Sequence, residues 1–174
     1  MAANVGLPPE AVSEIRAKTG IEGLDDILCG GFTPNRLYLL EGVPGSGKTT
    51  LAMQFLQEGA RRGESVLYVT LSETEKELRA VAASHDWSLD GIAIHESVPS
   101  EDSLQPDEQY TMFHASEVEL GETMKSILAN VERTKPSRVV VDSLSELRLL
   151  AGNPLRYRLQ ILALKQFSPA GTAP

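Results

Sequence analysis

One eight-residue stretch, residues 42–49, carries the residue types needed to hold a polyphosphate. It reads Gly-Val-Pro-Gly-Ser-Gly-Lys-Thr and matches the phosphate-loop pattern G-x-x-x-x-G-K-[ST] at every fixed position. Its glycines let the backbone wrap closely, so that successive N–H groups point inward at an anion. Lys48 would reach the β- and γ-phosphates, and the Thr49 hydroxyl would coordinate Mg²⁺. The residues expected to bind the phosphates are Gly42, Val43, Pro44, Gly45, Ser46, Gly47, Lys48, Thr49 and Thr50.

The residues on either side of this loop supply the context that such a loop needs. The apolar run at residues 36–41 predicts a buried strand. Residues 50–56 are predicted to begin an amphipathic helix, whose N-terminus attracts anions. A chance glycine-rich turn is the alternative, but the complete motif in a strand-to-helix context argues against it. The sequence therefore predicts a site for a nucleoside triphosphate.

A second candidate site residue, Asp142, ends the short apolar run Arg-Val-Val-Val-Asp at residues 138–142. This is the Walker B pattern, in which the carboxylate helps to hold Mg²⁺ beside the hydroxyl of the phosphate loop. Buried strands also end in Asp for capping alone, so the pattern gains its meaning from the complete loop upstream. The predicted magnesium ligands are therefore Thr49 and Asp142.

Glu73 directly follows a predicted second strand at residues 65–71. Because ligands of an open parallel sheet bind beyond the carboxyl ends of its strands, Glu73 is expected on the same edge as Lys48 and Asp142. A carboxylate there could orient or deprotonate the water that attacks the γ-phosphate. It could equally stabilise the dipole of the following helix, as acids in a first turn commonly do. The residues alone leave these two roles open.

Predicted strands and helices alternate along the chain, which is typical of a mostly parallel, three-layer α/β sheet. The helix after Glu73 is expected to begin with a capping box of Ser72 and Glu75. The remaining predictions are a short helix within residues 19–28, strands at 92–95 and 139–142, an extended piece at 110–114, and helices at 118–134 and 154–167.

Composition and charge limit the partners. The chain has 174 residues, enough for one α/β domain, and a net charge of −8 with scattered basic residues. Nucleic acid is therefore disfavoured, since a surface that binds it needs clustered Lys and Arg. No apolar run reaches the ~20 residues of a membrane span, and the first nine residues do not form a secretory signal. The one cysteine, Cys29, is expected to be a buried core thiol.

Several of these segments together resemble the RecA-like ATPases, most closely the KaiC branch of circadian-clock ATPases and their relatives. The resemblance runs from about Thr19 to Phe167 and rests on residues 19–31, the phosphate loop, residues 67–73 and residues 141–143. It implies a three-layer α/β/α RecA-like P-loop core that binds ATP and Mg²⁺ and hydrolyses ATP. It also implies a cytoplasmic homo-oligomeric ring, such as a hexamer, with ATP between neighbouring subunits.

The resemblance also bears on Glu73. In the family an acidic pair follows the second strand, and one of the two acids activates water. Here the pair reads Ser72-Glu73, so only the second acid is present. The resemblance thus implies that Glu73 and Lys48 are catalytic, and Ser72 favours slow or altered hydrolysis.

The chain departs from the family after its last predicted helix. In RecA-like sheets the next strand inserts between the phosphate-loop strand and the Walker B strand. Residues 168–174 lack the apolar content and β-propensity for a central strand. We therefore expect a C-terminally truncated core at residues 14–168, between a flexible tail at 1–13 and a disordered tail at 169–174. Either the chain then binds nucleotide poorly, or the two motif strands pair directly.

Three functions remain open on the sequence. The first is ATP binding and hydrolysis by a KaiC-like domain. The second is a DNA recombination or repair ATPase of the same superfamily, which the acidic composition disfavours. The third is a non-catalytic module whose bound nucleotide sets its assembly state, with a signalling partner that the sequence does not identify.

Overall fold

The computed structural model describes residues 16–97 and 112–166. The predicted tails at 1–13 and 169–174, the extended residues 110 and 111, and Phe167 lie outside these ranges. Six helices and three strands form in the described part: α1 Glu22–Ile27, α2 Lys48–Arg61, β1 Val66–Thr70, α3 Glu75–Ser84, β2 Ala93–Glu96, α4 Met112–Thr134, β3 Arg138–Asp142, α5 Leu144–Ala151 and α6 Pro154–Gln166.

The three strands form one parallel sheet in the order β2-β1-β3. At the carboxyl end, Thr70 of β1 lies opposite both Glu96 and Asp142. All five residues of β1 are buried, as expected for a central parallel strand that is covered on both faces. The predicted parallel α/β class is confirmed, and the fold is a RecA-like P-loop core that lacks further strands among the described residues.

Side chains of β1 alternate between two hydrophobic clusters, because successive residues of a strand point to opposite faces. Leu67 and Val69 contact the helices α4 and α5 on one face, whereas Val66 and Tyr68 contact α2 and α3 on the other. The sheet is therefore the middle of three layers. The helical members of the two clusters are Leu120, Met124, Ile127, Val131, Leu147 and Ala151 on the first face, and Met53, Leu56, Leu78 and Ala82 on the second.

The predicted strand at residues 36–41 is absent, and this prediction is wrong. The segment is irregular, and Leu37 and Leu39 are 51% and 62% exposed. It does not pair with β3, so of the two alternatives for the truncated core, the one in which the two motif strands pair directly is wrong. A cleft of about 1190 Å³ is lined by residues 36–42 on one side and by β3 on the other. An apolar run becomes a buried strand only where neighbouring strands bond its N–H and C=O groups, and no described strand does so here.

Three smaller predictions are also corrected. The capping box of α3 consists of Thr74 and Glu77, because the motif recurs two residues after Ser72 and a turn at Glu73 delays the helix start. Cys29 is exposed rather than buried, since it follows the end of α1 in a left-handed conformation at the surface. Residues 112–114 belong to α4 and are not extended, because the helix begins earlier than its apolar periodicity.

Helix α5 was not predicted, although its buried Leu147 and Ala151 lie one turn apart. Within the described residues, no helix combines the length and apolar character needed to cross a membrane.

Candidate functional site

The phosphate loop adopts a conformation that requires glycine at two of its positions. Gly45 and Gly47 have φ angles of 79° and 84°, in the left-handed region that side chains disfavour. Gly47 is also the N-cap of α2, and no side chain caps this helix. The first N–H groups of α2 therefore lack an acceptor within the helix and are available to an anion.

The ammonium group of Lys48 lies over its own loop. Its Nζ donates hydrogen bonds to the carbonyl oxygens of Gly42 at 2.8 Å and of Val43 at 3.0 Å. These two bonds keep the positive charge at the mouth of the loop. Phosphate oxygens would replace the carbonyls as acceptors in a charge-assisted bond, which is stronger than a bond to a neutral carbonyl.

Thr49 and Asp142 are in direct contact, although 93 residues separate them. Oγ1 of Thr49 donates to Oδ2 of Asp142 at 2.8 Å. The contact forms because α2 packs on β1 through Met53 and Leu56, which brings its first turn to the carboxyl end of β3. The two predicted magnesium ligands are thus neighbours.

Hydroxyl and carboxylate oxygens are the donors that Mg²⁺ prefers, so the chemistry of this pair fits the ion. The part of the chain that the structure describes holds no group of three or more His, Cys, Asp or Glu side chains that could bind a metal by themselves. This too fits Mg²⁺, which usually takes one or two protein ligands and completes its shell with water and substrate phosphates.

Tyr68 adds a contact that the sequence analysis missed. Its hydroxyl donates to Oδ2 of Asp142 at 2.7 Å, and the residue is only 2% exposed. Burial and the Asp142 carboxylate raise the pKa of the Tyr68 hydroxyl above its usual range, so the group stays a donor. A tyrosine in an otherwise apolar, fully buried strand needs a partner for its hydroxyl. That requirement was the signal in the sequence that could have pointed to Asp142.

The backbone of Glu73 is held by Thr70, the last residue of β1. The Thr70 hydroxyl donates to the carbonyl of Glu73 at 2.6 Å and accepts from its N–H at 3.1 Å. This turn sets Glu73 just ahead of the N-cap of α3. The capping bonds of that helix are made by Thr74 and Glu77, and Glu73 makes none of them.

The side chain of Glu73 carries an oxygen, Oε2, that is buried and has no hydrogen-bond partner among the described residues. Burial raises the pKa of this carboxyl group, and the nearby carboxylates of Asp142 and Glu77 raise it further. An unpaired carboxylate oxygen at the carboxyl edge of the sheet is the type of group that can accept a proton from a bound water.

Two serines lie close behind Asp142 in the sequence. Ser143 is the N-cap of α5, but its side chain makes no capping hydrogen bond. Ser145 lies in the first turn of the same helix and lines the cleft between β3 and residues 36–42.

Comparison with known proteins agrees with this geometry. A family model described as "ATPase: KaiC" matches residues 17–169. A UPF0273 protein of Thermotoga maritima is 31% identical over 159 residues, which are 87% of this chain and 64% of the relative. A UPF0273 protein of Pyrococcus horikoshii is 31% identical over 156 residues, or 87% of this chain and 62% of the relative.

A clock protein gives a similar match over a smaller share of its length. The circadian clock oscillator protein KaiC of Picosynechococcus sp. is 32% identical over 135 residues, which are 78% of this chain and 24% of that protein. The chain therefore spans less than two thirds of the UPF0273 relatives and 24% of this clock protein.

Proposed function

This chain belongs to the KaiC family of ATPases, and we propose on that basis that it binds ATP with Mg²⁺ and hydrolyses the ATP. The observation that carries the proposal is the 2.8 Å bond from Thr49 Oγ1 to Asp142 Oδ2. It joins the phosphate-loop helix to the acid that ends β3, so that the two sequence motifs lie at one place in the fold.

Each half of the phosphate site has its own task in this proposal. The N–H groups at the start of α2 and the Lys48 ammonium hold the β- and γ-phosphates. Thr49 and Asp142 hold Mg²⁺, which neutralises charge on the phosphate oxygens when it is bound. The exposed position of the loop leaves the nucleotide free access from solvent.

Glu73 is the proposed base. The carboxylate accepts a proton from the water whose oxygen attacks the γ-phosphorus, while the bond to the β–γ bridging oxygen breaks and ADP leaves. The raised pKa of Glu73 lies closer to neutral pH than that of an ordinary carboxyl group, and a general base is most effective when its pKa is near the working pH. Ser72 has a hydroxyl at the position where the family has the first acid of the pair, and this difference supports slow turnover.

The test is phosphate release by the unsubstituted protein and by Glu73→Gln. We expect release that requires Mg²⁺ and that falls about 100-fold in Glu73→Gln, the scale of a lost acid–base group. Glu75→Gln is the matched control, because the Glu75 carboxylate is half-exposed and pairs with Arg79. Equal release by Glu73→Gln and the control would remove Glu73 from the mechanism.

A second candidate is a module of a cytoplasmic homo-oligomeric ring that uses nucleotide to set its assembly state. Ser72 and the unpaired segment at residues 36–41 favour it, because both weaken the case for fast hydrolysis. Size-exclusion chromatography in ATP and in ADP, alongside phosphate release, separates the two candidates. An ATP-dependent change of size without any phosphate release supports the assembly module.

A further inference from the structure

We propose that Tyr68 is a positioning residue for the magnesium carboxylate, through the bond of its hydroxyl to Oδ2 of Asp142. The inference rests on the proposed function, because only there is Asp142 a ligand of Mg²⁺. Tyr68 itself does not touch nucleotide or metal in this account.

Two hydroxyls converge on one oxygen of the carboxylate. Tyr68 Oη lies 2.7 Å and Thr49 Oγ1 lies 2.8 Å from Oδ2 of Asp142. No described residue donates to the other oxygen, Oδ1. The carboxylate is therefore fixed in rotation by bonds to one oxygen, while the second oxygen stays available to a ligand.

The two hydroxyls are not equivalent in the proposed site. Thr49 is itself a magnesium ligand there, so its oxygen has a task besides holding the carboxylate. When Mg²⁺ is bound, the Tyr68 hydroxyl is therefore the donor to Asp142 that is not also a metal ligand. Groups that hydrogen-bond to a metal ligand and so orient it typically lower the metal affinity 10- to 100-fold when they are removed.

The fold holds Tyr68 firmly enough for this role. It is the central residue of β1, lies opposite Ile94 and Val140, and packs in the cluster that contains Met53 and Leu56 of α2. Its ring has little freedom to move in a close-packed core, so its hydroxyl is a fixed point. The same helix α2 carries Thr49, which ties the two donors to one rigid unit.

The test measures ADP binding by calorimetry over a Mg²⁺ series and in EDTA, for the unsubstituted protein and for Tyr68→Phe. The substitution keeps the ring and removes only the hydroxyl. We expect the Mg²⁺ concentration that gives half of the maximal increase in ADP affinity to rise about 10- to 100-fold in Tyr68→Phe. The affinity for ADP in EDTA should stay unchanged. Thr134→Val is the matched control, because it removes a hydroxyl that donates to the Asn130 carbonyl at the end of α4 and should leave both values unchanged.

Three outcomes overturn the inference. An unaltered Mg²⁺ dependence in Tyr68→Phe shows that the hydroxyl does not position Asp142. An equal loss of ADP affinity in EDTA shows that Tyr68 supports the fold rather than the carboxylate. If the unsubstituted protein shows no Mg²⁺-dependent binding, the proposed function fails, and the inference fails with it.

Discussion

The two halves of the phosphate site are held in very different ways. Asp142 ends a strand that pairs with β1 along five residues, and the helices on both faces of the sheet cover that pair. We call this half the closed side. Residues 36–41, which lead into the phosphate loop, have no strand beside them among the described residues and line a cleft, and we call this half the open side.

The phosphate loop lies at the boundary between the two sides. Its carboxyl half continues into α2, which is anchored in the core by Met53 and Leu56. Its amino half follows the unpaired segment. The comparison teaches that a complete phosphate-loop sequence does not by itself fix the position of the loop. Packing of α2 in the core holds the carboxyl half of the loop, and the amino half needs a neighbouring strand.

Hydrogen exchange gives the largest expected difference between the two sides. Amides of β1, such as those of Leu67 and Val69, are hydrogen-bonded within a buried strand. They exchange only when the whole domain unfolds. Amides of Leu37 and Leu39 have no ladder bonds. We expect exchange at the two leucines of the open side to be at least about 1000-fold faster, since global opening costs roughly 5–15 kcal/mol. Equal protection would show that the open side is paired in solution.

A matched pair of leucines tests the same contrast in stability. Leu67→Ala removes a fully buried side chain of β1 and should lower the free energy of unfolding by about 2–5 kcal/mol. Leu39→Ala acts on a side chain that is 62% exposed and should change it by less than about 0.5 kcal/mol. Urea denaturation measures both. A cost in Leu39→Ala that approaches the cost in Leu67→Ala would contradict the open side.

Lys48→Ala tests whether the phosphate loop binds nucleotide although its amino half follows the open side. Removing the ammonium loses two or more charge-assisted bonds to phosphate, so ADP affinity should fall about 100-fold, or about 2.7 kcal/mol. The control is Lys76→Ala, an exposed lysine of α3. Calorimetry with MgADP measures both variants, and equal affinities would exclude Lys48 from phosphate binding.

Glu73→Gln gives the smallest effect, a change in thermal stability of the nucleotide-free protein. Because the folded state raises the pKa of Glu73, the stability that this carboxyl contributes is present at low pH and is lost as the pH rises through the folded pKa. The amide cannot ionise, so the variant should melt at a higher temperature than the unsubstituted protein at pH 7. The gain should vanish near the ordinary pKa of about 4.3. A lower melting temperature at pH 7 would contradict the unpaired, charged state of Glu73.

The closed side could largely be predicted from the sequence, for physical reasons. Each of the strands β1 and β3 contains a short apolar run in the sequence, and Asp142 directly follows the second of these runs. The same reasoning failed at residues 36–41, because burial of an equally apolar run depends on a neighbouring strand that local pattern does not report. The bond of Tyr68 to Asp142 could not be predicted, because it depends on the register of β1 against β3, which only the folded sheet provides.

Calorimetric titration of the folded, unsubstituted protein with MgADP is the most direct test of the central claim, that the loop and the Thr49–Asp142 pair form one nucleotide site. The account predicts a saturable heat with one site per chain, and weaker binding when Mg²⁺ is removed with EDTA. The absence of any heat, from protein that still unfolds cooperatively in urea, would contradict it.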